Sequence, residues 1–80
     1  MDSKSIRIVR AIERLVARGK IPTRNNVYRS ARTGFTPKTF SEAIIALQSA
    51  GVIEVMWRAQ HFRDRGYSAE VYTVKKAVQS

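Results

Sequence analysis

The sequence predicts a small α+β domain, with three helices followed by a two-stranded β-hairpin. Three observations support this fold class. Eighty residues, 44% of them hydrophobic, suffice for one core. Three segments repeat apolar residues at helical spacing, and two later segments alternate apolar and polar residues as half-buried strands do. We therefore expect residues 1–80 to form a single domain.

The first helix is predicted over residues 5–18. Ile8, Ile12, Leu15 and Val16 recur at intervals of three and four residues. This spacing places them on one side of a helix and predicts a single buried stripe. A glycine follows and is suited to the left-handed position past the helix end.

The second helix is predicted over residues 24–32. Pro22 keeps the first helix from continuing, and Thr23 is a favourable N-cap for the second one. Ile21, in the short connection, is expected to enter the core in a brief extended segment. Gly34 then breaks the chain before the third helix.

The third helix is predicted over about residues 36–50. Thr36 is a favourable N-cap, and Pro37 occupies the first helical position, where its missing N–H costs nothing. Gly51 ends the helix. The buried stripe is expected to consist of four residues: Phe40, Ala43, Ile44 and Leu47.

The hairpin is predicted from strands over residues 52–58 and 69–75. Alternation in the first strand places Trp57 on the face of its apolar neighbours, so we expect Trp57 and Tyr72 to lie in the core, with base-stacking platforms as the alternative role. Between the strands, residues 64–66 suggest a turn within a long basic tip.

Charge is the most pronounced global property. Fifteen Lys and Arg against six Asp and Glu give a net charge of +9 and a sequence pI near 10.9. Most of the excess is arginine, whose planar guanidinium binds phosphate in a bidentate manner and stacks on bases. This favours a nucleic-acid partner. Solubility, acidic proteins and anionic lipid are the alternatives that remain open.

Catalytic and metal-binding patterns are missing from the sequence. It has no cysteine, its one histidine has no partner that spacing nominates, and its six acidic residues are scattered. The four glycines form no phosphate loop. We expect no enzyme activity, no metal or other cofactor, and no small-molecule ligand. With no apolar run of membrane-spanning length and no secretory signal, we expect an intracellular, cytoplasmic protein without a membrane partner.

The order of elements and the third helix resemble a known family. Residues 36–53 combine a Thr start, the pair Ala43-Ile44, then Leu47, then Gly51 followed by two apolar residues that enter the hairpin. This segment is similar to the recognition helix of winged helix-turn-helix DNA-binding proteins, including the small free-standing transcriptional regulators of archaeal viruses and plasmids. The resemblance covers nearly the whole chain in element order and about twenty residues in detail. It implies a winged helix-turn-helix fold with the third helix in the major groove.

The outer face of the third helix carries the candidate base-reading residues. Lys38 can donate to guanine acceptors, and Glu42 can accept from cytosine N4. Ile45 can meet a thymine methyl or be buried against a second copy of the chain. The full set consists of Lys38, Thr39, Ser41, Glu42 and Ile45.

A second group of candidates is expected on the DNA backbone. The basic wing, about residues 58–68, is expected to follow the phosphates or enter the minor groove, with a solvated flexible loop as the alternative. Five of these residues precede or begin the third helix: Arg24, Asn25, Arg29, Arg32 and Thr36. Four belong to the wing: Arg58, His61, Arg63 and Arg65.

The sequence thus predicts a sequence-specific double-stranded DNA-binding protein and transcriptional regulator. One such module makes a small interface, so we expect a homodimer, formed through Ile6 and Ile8 of the first helix or through the last strand. Two alternatives stay open. One is an RNA-binding winged helix of a ribonucleoprotein particle. The other is a protein–protein assembly module that uses Ile45, Met56 and Phe62 as an apolar patch.

Overall fold

The computed structural model describes residues 3–31 and 34–75, without the side chain of Phe62. Its architecture is that of a winged helix: three helices followed by a two-stranded antiparallel hairpin. The elements are α1 (Ser3–Ala17), α2 (Arg24–Ala31), α3 (Pro37–Ser49), β1 (Ile53–Phe62) and β2 (Arg65–Val74). The predicted fold class is confirmed.

The start of α3 is fixed by a reciprocal cap. The Thr39 backbone N–H donates to the Thr36 hydroxyl at 3.2 Å, and the Thr36 N–H donates to the Thr39 hydroxyl at 2.9 Å. Pro37 occupies the first turn. Two backbone donors that a helix leaves free are thereby satisfied, as the sequence predicted for Thr36.

The connection between α1 and α2 pairs with β2 through a single antiparallel bridge. Thr23 bridges Val71, and the Tyr72 N–H donates to the Pro22 carbonyl at 3.0 Å. The Thr23 hydroxyl also accepts from the Asn26 N–H at 3.2 Å, which confirms its capping role. The prediction that Ile21 enters the core is wrong, since 47% of its surface is exposed. Pairing with β2 is made by the two residues after Ile21, so Ile21 itself stays outside.

The core lies between the three helices and the inner face of the hairpin. Phe40 is fully buried, and its ring meets those of Tyr28 and Phe35 edge to face at 5.2 and 5.9 Å. The stripe of α1 is confirmed except for Val16, which is 59% exposed. Val16 lies in the last turn of α1, where it lines an open groove beside β2. Ile8 is completely buried, so it cannot supply a contact between two copies.

The hairpin is a continuous ribbon instead of two short strands with a long tip. Its register runs from Ile53 opposite Val74 to Phe62 opposite Arg65. Arg63 and Asp64 form the turn and both have positive φ, 50° and 64°. Two-residue turns of this kind match the twist of a hairpin, so backbone pairing reaches the tip. The predicted long loop and the turn at residues 64–66 are therefore wrong.

Trp57 lies outside the core, against the prediction. Its side chain is 67% exposed, whereas Tyr72 is 1% exposed, as predicted. Both residues face the same side of the ribbon, but Trp57 pairs with Glu70, one step farther towards the tip than the pair Val55–Tyr72. The inner face of the ribbon contacts the core only near its base, and Trp57 is beyond that contact.

Candidate nucleic-acid interface

The outer face of α3 presents three of the predicted base-reading side chains to solvent. Lys38 and Glu42 are exposed, and Ile45 is 61% exposed. They stand opposite the buried stripe that anchors the helix. Phe40, shown above to be buried, is the centre of that stripe. These three side chains extend from a helix whose position is set by other residues.

Thr39 and Ser41 are half-buried and hold hydrogen bonds inside the protein. Thr39 completes the cap with Thr36, and its hydroxyl also donates to the Thr36 carbonyl at 3.2 Å. The Ser41 hydroxyl donates to the Pro37 carbonyl at 3.0 Å and accepts from Arg24. All three hydroxyls, including that of Thr36, therefore contribute to the local structure of α3 as well as standing near its exposed face.

Arg24, at the start of α2, joins three elements. Its guanidinium donates to Ser41 of α3, lies 3.7 Å from the Glu70 carboxylate of β2, and stands 5.2 Å from the centre of the Phe40 ring. The contact over the ring is a cation–π arrangement. With 39% of its side chain exposed, Arg24 is held at the bottom of a groove between α3 and the ribbon.

Glu70 is also held by Tyr72. The Tyr72 hydroxyl donates to the Glu70 carboxylate oxygen that faces Arg24, at 2.7 Å. Burial of the phenol, and then its hydrogen bond to Glu70, raise the pKa of Tyr72 well above its ordinary value. The carboxylate thus accepts from a core tyrosine on one side and balances Arg24 on the other.

A groove runs between α3 and the ribbon, and we call it the α3–ribbon groove. Ser41, Ile45 and Arg24, all predicted site residues, meet in it. The complete lining consists of Arg24, Ser41, Ile44, Ile45, Gln48, Val55 and Glu70. Its volume is about 230 Å³. The third helix and the ribbon therefore form one continuous surface.

The wing residues divide between two sides of the ribbon. Arg63, in the turn, and Arg65, beside it, are exposed at the tip. The His61 ring lies over Gly66. A Cβ added to this glycine would stand 3.5 Å from the ring. Arg58 faces the other side of the ribbon and lines a groove of about 510 Å³ between α1 and β2, away from α3.

Two α2 residues of the predicted set lie beside the ribbon. Asn25 and Arg29 line an open cavity of about 560 Å³ that also contains Gln60 and Tyr67. Asn25 in addition borders the cavity that contains Trp57. Arg32, the remaining member of the set, lies outside the described residues.

Two residues of this surface were not among the sequence candidates. Gln48 lines the α3–ribbon groove, and Trp57 stands exposed beyond it. Helical spacing places Gln48 one turn after Ile45 on the outer face, so the periodicity of α3 contained a usable signal. For Trp57 the sequence predicted burial, since strand alternation placed it with Ile53 and Val55.

Within residues 3–31 and 34–75, the structure contains no cluster of three or more side chains suited to a metal ion. Among the same residues, none of the helices has the length and apolar character needed to cross a membrane. Comparisons of the chain with protein-family models, curated proteins and solved structures give no match.

Proposed function

We propose that this protein binds double-stranded DNA in a sequence-specific manner and acts as a transcriptional regulator inside the cell. The observation that carries the proposal is the outer face of α3. There Lys38, Glu42 and Ile45 are exposed on a helix whose cap and inner stripe are fixed by other residues. A rigid helix with such a face and a basic ribbon beside it is suited to reading base edges.

The N-terminal end of α3 enters the major groove in this account. Its first turn contains no acidic residue, so the positive end of the helix dipole faces the phosphates without opposition. Lys38 then donates to guanine, Glu42 accepts from cytosine N4, and Ile45 contacts a thymine methyl. The Thr36 hydroxyl donates to an adjacent phosphate, while Thr39 and Ser41, whose hydroxyl protons are donated inside the protein, maintain the helix start.

The ribbon supplies the second contact. Arg63, Arg65 and His61 lie at or near its tip and follow the backbone or enter the minor groove. Asn25 and Arg29 of α2 add backbone contacts beside it. These contacts carry no sequence information of their own, and they set the register of α3 on the duplex.

A second copy of the chain completes the site in this proposal. The groove between α1 and β2 is mostly apolar, and it contains the exposed Val16 together with Glu13 and Arg58, which have opposite charges. In a two-fold dimer, Glu13 of one copy can face Arg58 of the other. The lining contains no α3 residue, so both recognition helices stay free to occupy sites about one DNA turn apart.

A binding selection on random duplex DNA, followed by a salt titration of the selected sequence, tests the proposal. We expect an enriched motif with two-fold symmetry and a steep negative slope of log affinity against log salt concentration. Absence of any enriched motif, with tighter binding to structured RNA, would contradict it and favour an RNA-binding winged helix.

Two substitutions separate base reading from backbone contact. Lys38→Ala is expected to cost about 1–3 kcal/mol on the selected site and to relax specificity at one base pair. Arg63→Ala is expected to weaken binding to all sequences alike and to reduce the salt slope by about one. Equal effects of both substitutions on selected and random duplexes would count against Lys38 as a base reader.

A further inference from the structure

Trp57 is a large aromatic side chain without a role in the core. It is the only tryptophan of the chain, and 67% of its surface is exposed. It stands on the inner side of the ribbon opposite Glu70, just beyond the point where the ribbon leaves the core. Single exposed apolar residues are common on proteins, so exposure alone implies no function. Its surroundings distinguish this one.

A cavity of about 290 Å³ opens beside the indole, and we call it the Trp57 cavity. Few residues line it, and their side chains differ in chemistry. Asn25 adds an exposed amide and Ser68, on the same face of the ribbon as Trp57, an exposed hydroxyl, while Tyr67, which belongs to the opposite face, only borders the cavity. Glu70 adds a carboxylate. The volume lies at the lower end of the range for small-ligand sites and suits a single planar heterocycle.

The polar groups of the Trp57 cavity match the edge of a nucleobase. An amide such as that of Asn25 can donate to a ring nitrogen and accept from an exocyclic amine, and a carboxylate such as that of Glu70 can accept from an amine. The indole offers a flat face on which any base can stack. A nucleobase is therefore the ligand whose shape and hydrogen-bonding groups this lining fits.

The cavity is continuous with the surface proposed for DNA. Arg24 and Glu70 line both the Trp57 cavity and the α3–ribbon groove. A strand that follows α3 thus passes Arg24 and reaches Trp57 without leaving the protein surface. In an intact duplex, however, the faces of the bases are covered by their neighbours, and only an unpaired or extruded base can enter such a site.

We propose that the Trp57 cavity binds an unpaired nucleobase of the DNA that α3 engages. The preferred substrate is then a duplex that contains a bulged or otherwise unpaired base beside the site read by α3. This inference rests on the proposed DNA-binding function and specifies its substrate. Trp57 stacks on the base, while Asn25 and Glu70 contact its edge. Unstacking costs least where a base is already unpaired, so the preference follows from the geometry.

The test uses the intact protein and three ligands, namely two duplexes of matched sequence and one free nucleotide. These are the fully paired duplex selected above, the same duplex with one bulged adenine near the site, and deoxyadenosine monophosphate alone. Affinity is measured by fluorescence anisotropy of labelled DNA, and the intrinsic fluorescence of Trp57 reports stacking. We expect the bulged duplex to bind about tenfold to a hundredfold more tightly than the paired one and to quench Trp57.

Variants assign the preference to the indole. Trp57→Ala is expected to remove the preference for the bulged duplex, and Trp57→Phe to retain part of it. Met56→Ala, in the neighbouring residue on the other side of the same strand, is the matched control and is expected to keep the full preference. Circular dichroism melts verify that each variant is folded. We expect Trp57→Ala to melt close to the parent, because the indole is mostly exposed.

The outcomes separate this inference from the proposed function. Binding of the paired duplex with no preference for the bulge would overturn the inference and leave the DNA-binding function standing. A preference that survives in Trp57→Ala, or equal quenching by the free nucleotide and by the bulged duplex at the same concentration, would also overturn it. Failure to bind any of the DNA ligands would overturn both.

Discussion

At the scale of single residues, Tyr72 couples the core to the charged groups beneath the proposed DNA surface. Its phenol is buried and donates to Glu70, which in turn faces Arg24. Because burial and this hydrogen bond raise the pKa of Tyr72 above 10.0, the unfolded chain loses the phenolic proton at a lower pH than the folded protein does. Deprotonation therefore favours the unfolded state.

We expect the free energy of unfolding to fall as the pH rises above about 10, and Tyr72→Phe to show a smaller fall. At pH 7 the substitution should cost about 0.5–1.5 kcal/mol for the lost hydrogen bond. Urea denaturation between pH 7 and 11 measures both effects. Tyr67→Phe, at an exposed tyrosine, is the control. An identical alkaline decline in the parent and in Tyr72→Phe would contradict the account.

Single residues also show how far the sequence could predict the site. Lys38, Glu42 and Ile45 were correctly predicted to face outward, because helical periodicity fixes the outer side once Phe40 and Leu47 face inward. Trp57 could not be identified in this way. Strand alternation tells on which side of a ribbon a residue lies, but it does not tell how far along the ribbon the helices extend beneath it.

At the scale of elements, α3 depends on its reciprocal cap. We expect Thr36→Ala to lower the free energy of unfolding by about 1 kcal/mol, since it leaves a backbone donor of the first turn without its partner. Thr36→Ser is the matched control, because it keeps the hydroxyl. The measurement is urea denaturation at pH 7. Equal stability of the two variants would show that the cap contributes nothing.

The turn of the ribbon gives a second test at this scale. Asp64 has a φ of 64°, a conformation that Asp and Asn tolerate and that β-branched residues strongly disfavour. We expect Asp64→Val to cost about 1–2 kcal/mol. Asp64→Asn, which also removes the charge, should stay close to the parent in the same denaturation experiment. A Val variant as stable as the Asn variant would be inconsistent with the observed turn.

The sequence predicted the capping residues of the helices correctly, but it did not predict the full length of the ribbon. Thr23 and Thr36 act through local backbone groups, so their roles were visible in a few consecutive residues. The ribbon depends on pairing between residues far apart in the chain, from Ile53–Val74 to the tip. Arg63 and Asp64 lack the Asn-Gly signature of a tight hairpin turn, and the sequence therefore suggested a loop.

At the scale of the whole molecule, the proposed dimer has a testable surface. We expect Val16→Asp to leave the monomer folded, because Val16 is mostly exposed, and to prevent association of two copies through the α1–β2 groove. On the selected duplex, the parent should bind as two chains per site and the variant as one, with weaker binding. Analytical ultracentrifugation of the complexes measures the stoichiometry. Two chains per site with Val16→Asp would place the dimer contact elsewhere.

The central claim is that α3 and the ribbon form a single DNA-binding surface. The most direct test is a titration of isotope-labelled protein with the selected duplex, followed by backbone amide chemical shifts in NMR spectra. We expect the largest changes at the start of α3, around Lys38 and Glu42, and at the ribbon tip around Arg63. Apart from the proposed dimer contact at Glu13 and Val16, the outer face of α1 should change little. The largest changes at α1, with α3 unaffected, would contradict the account.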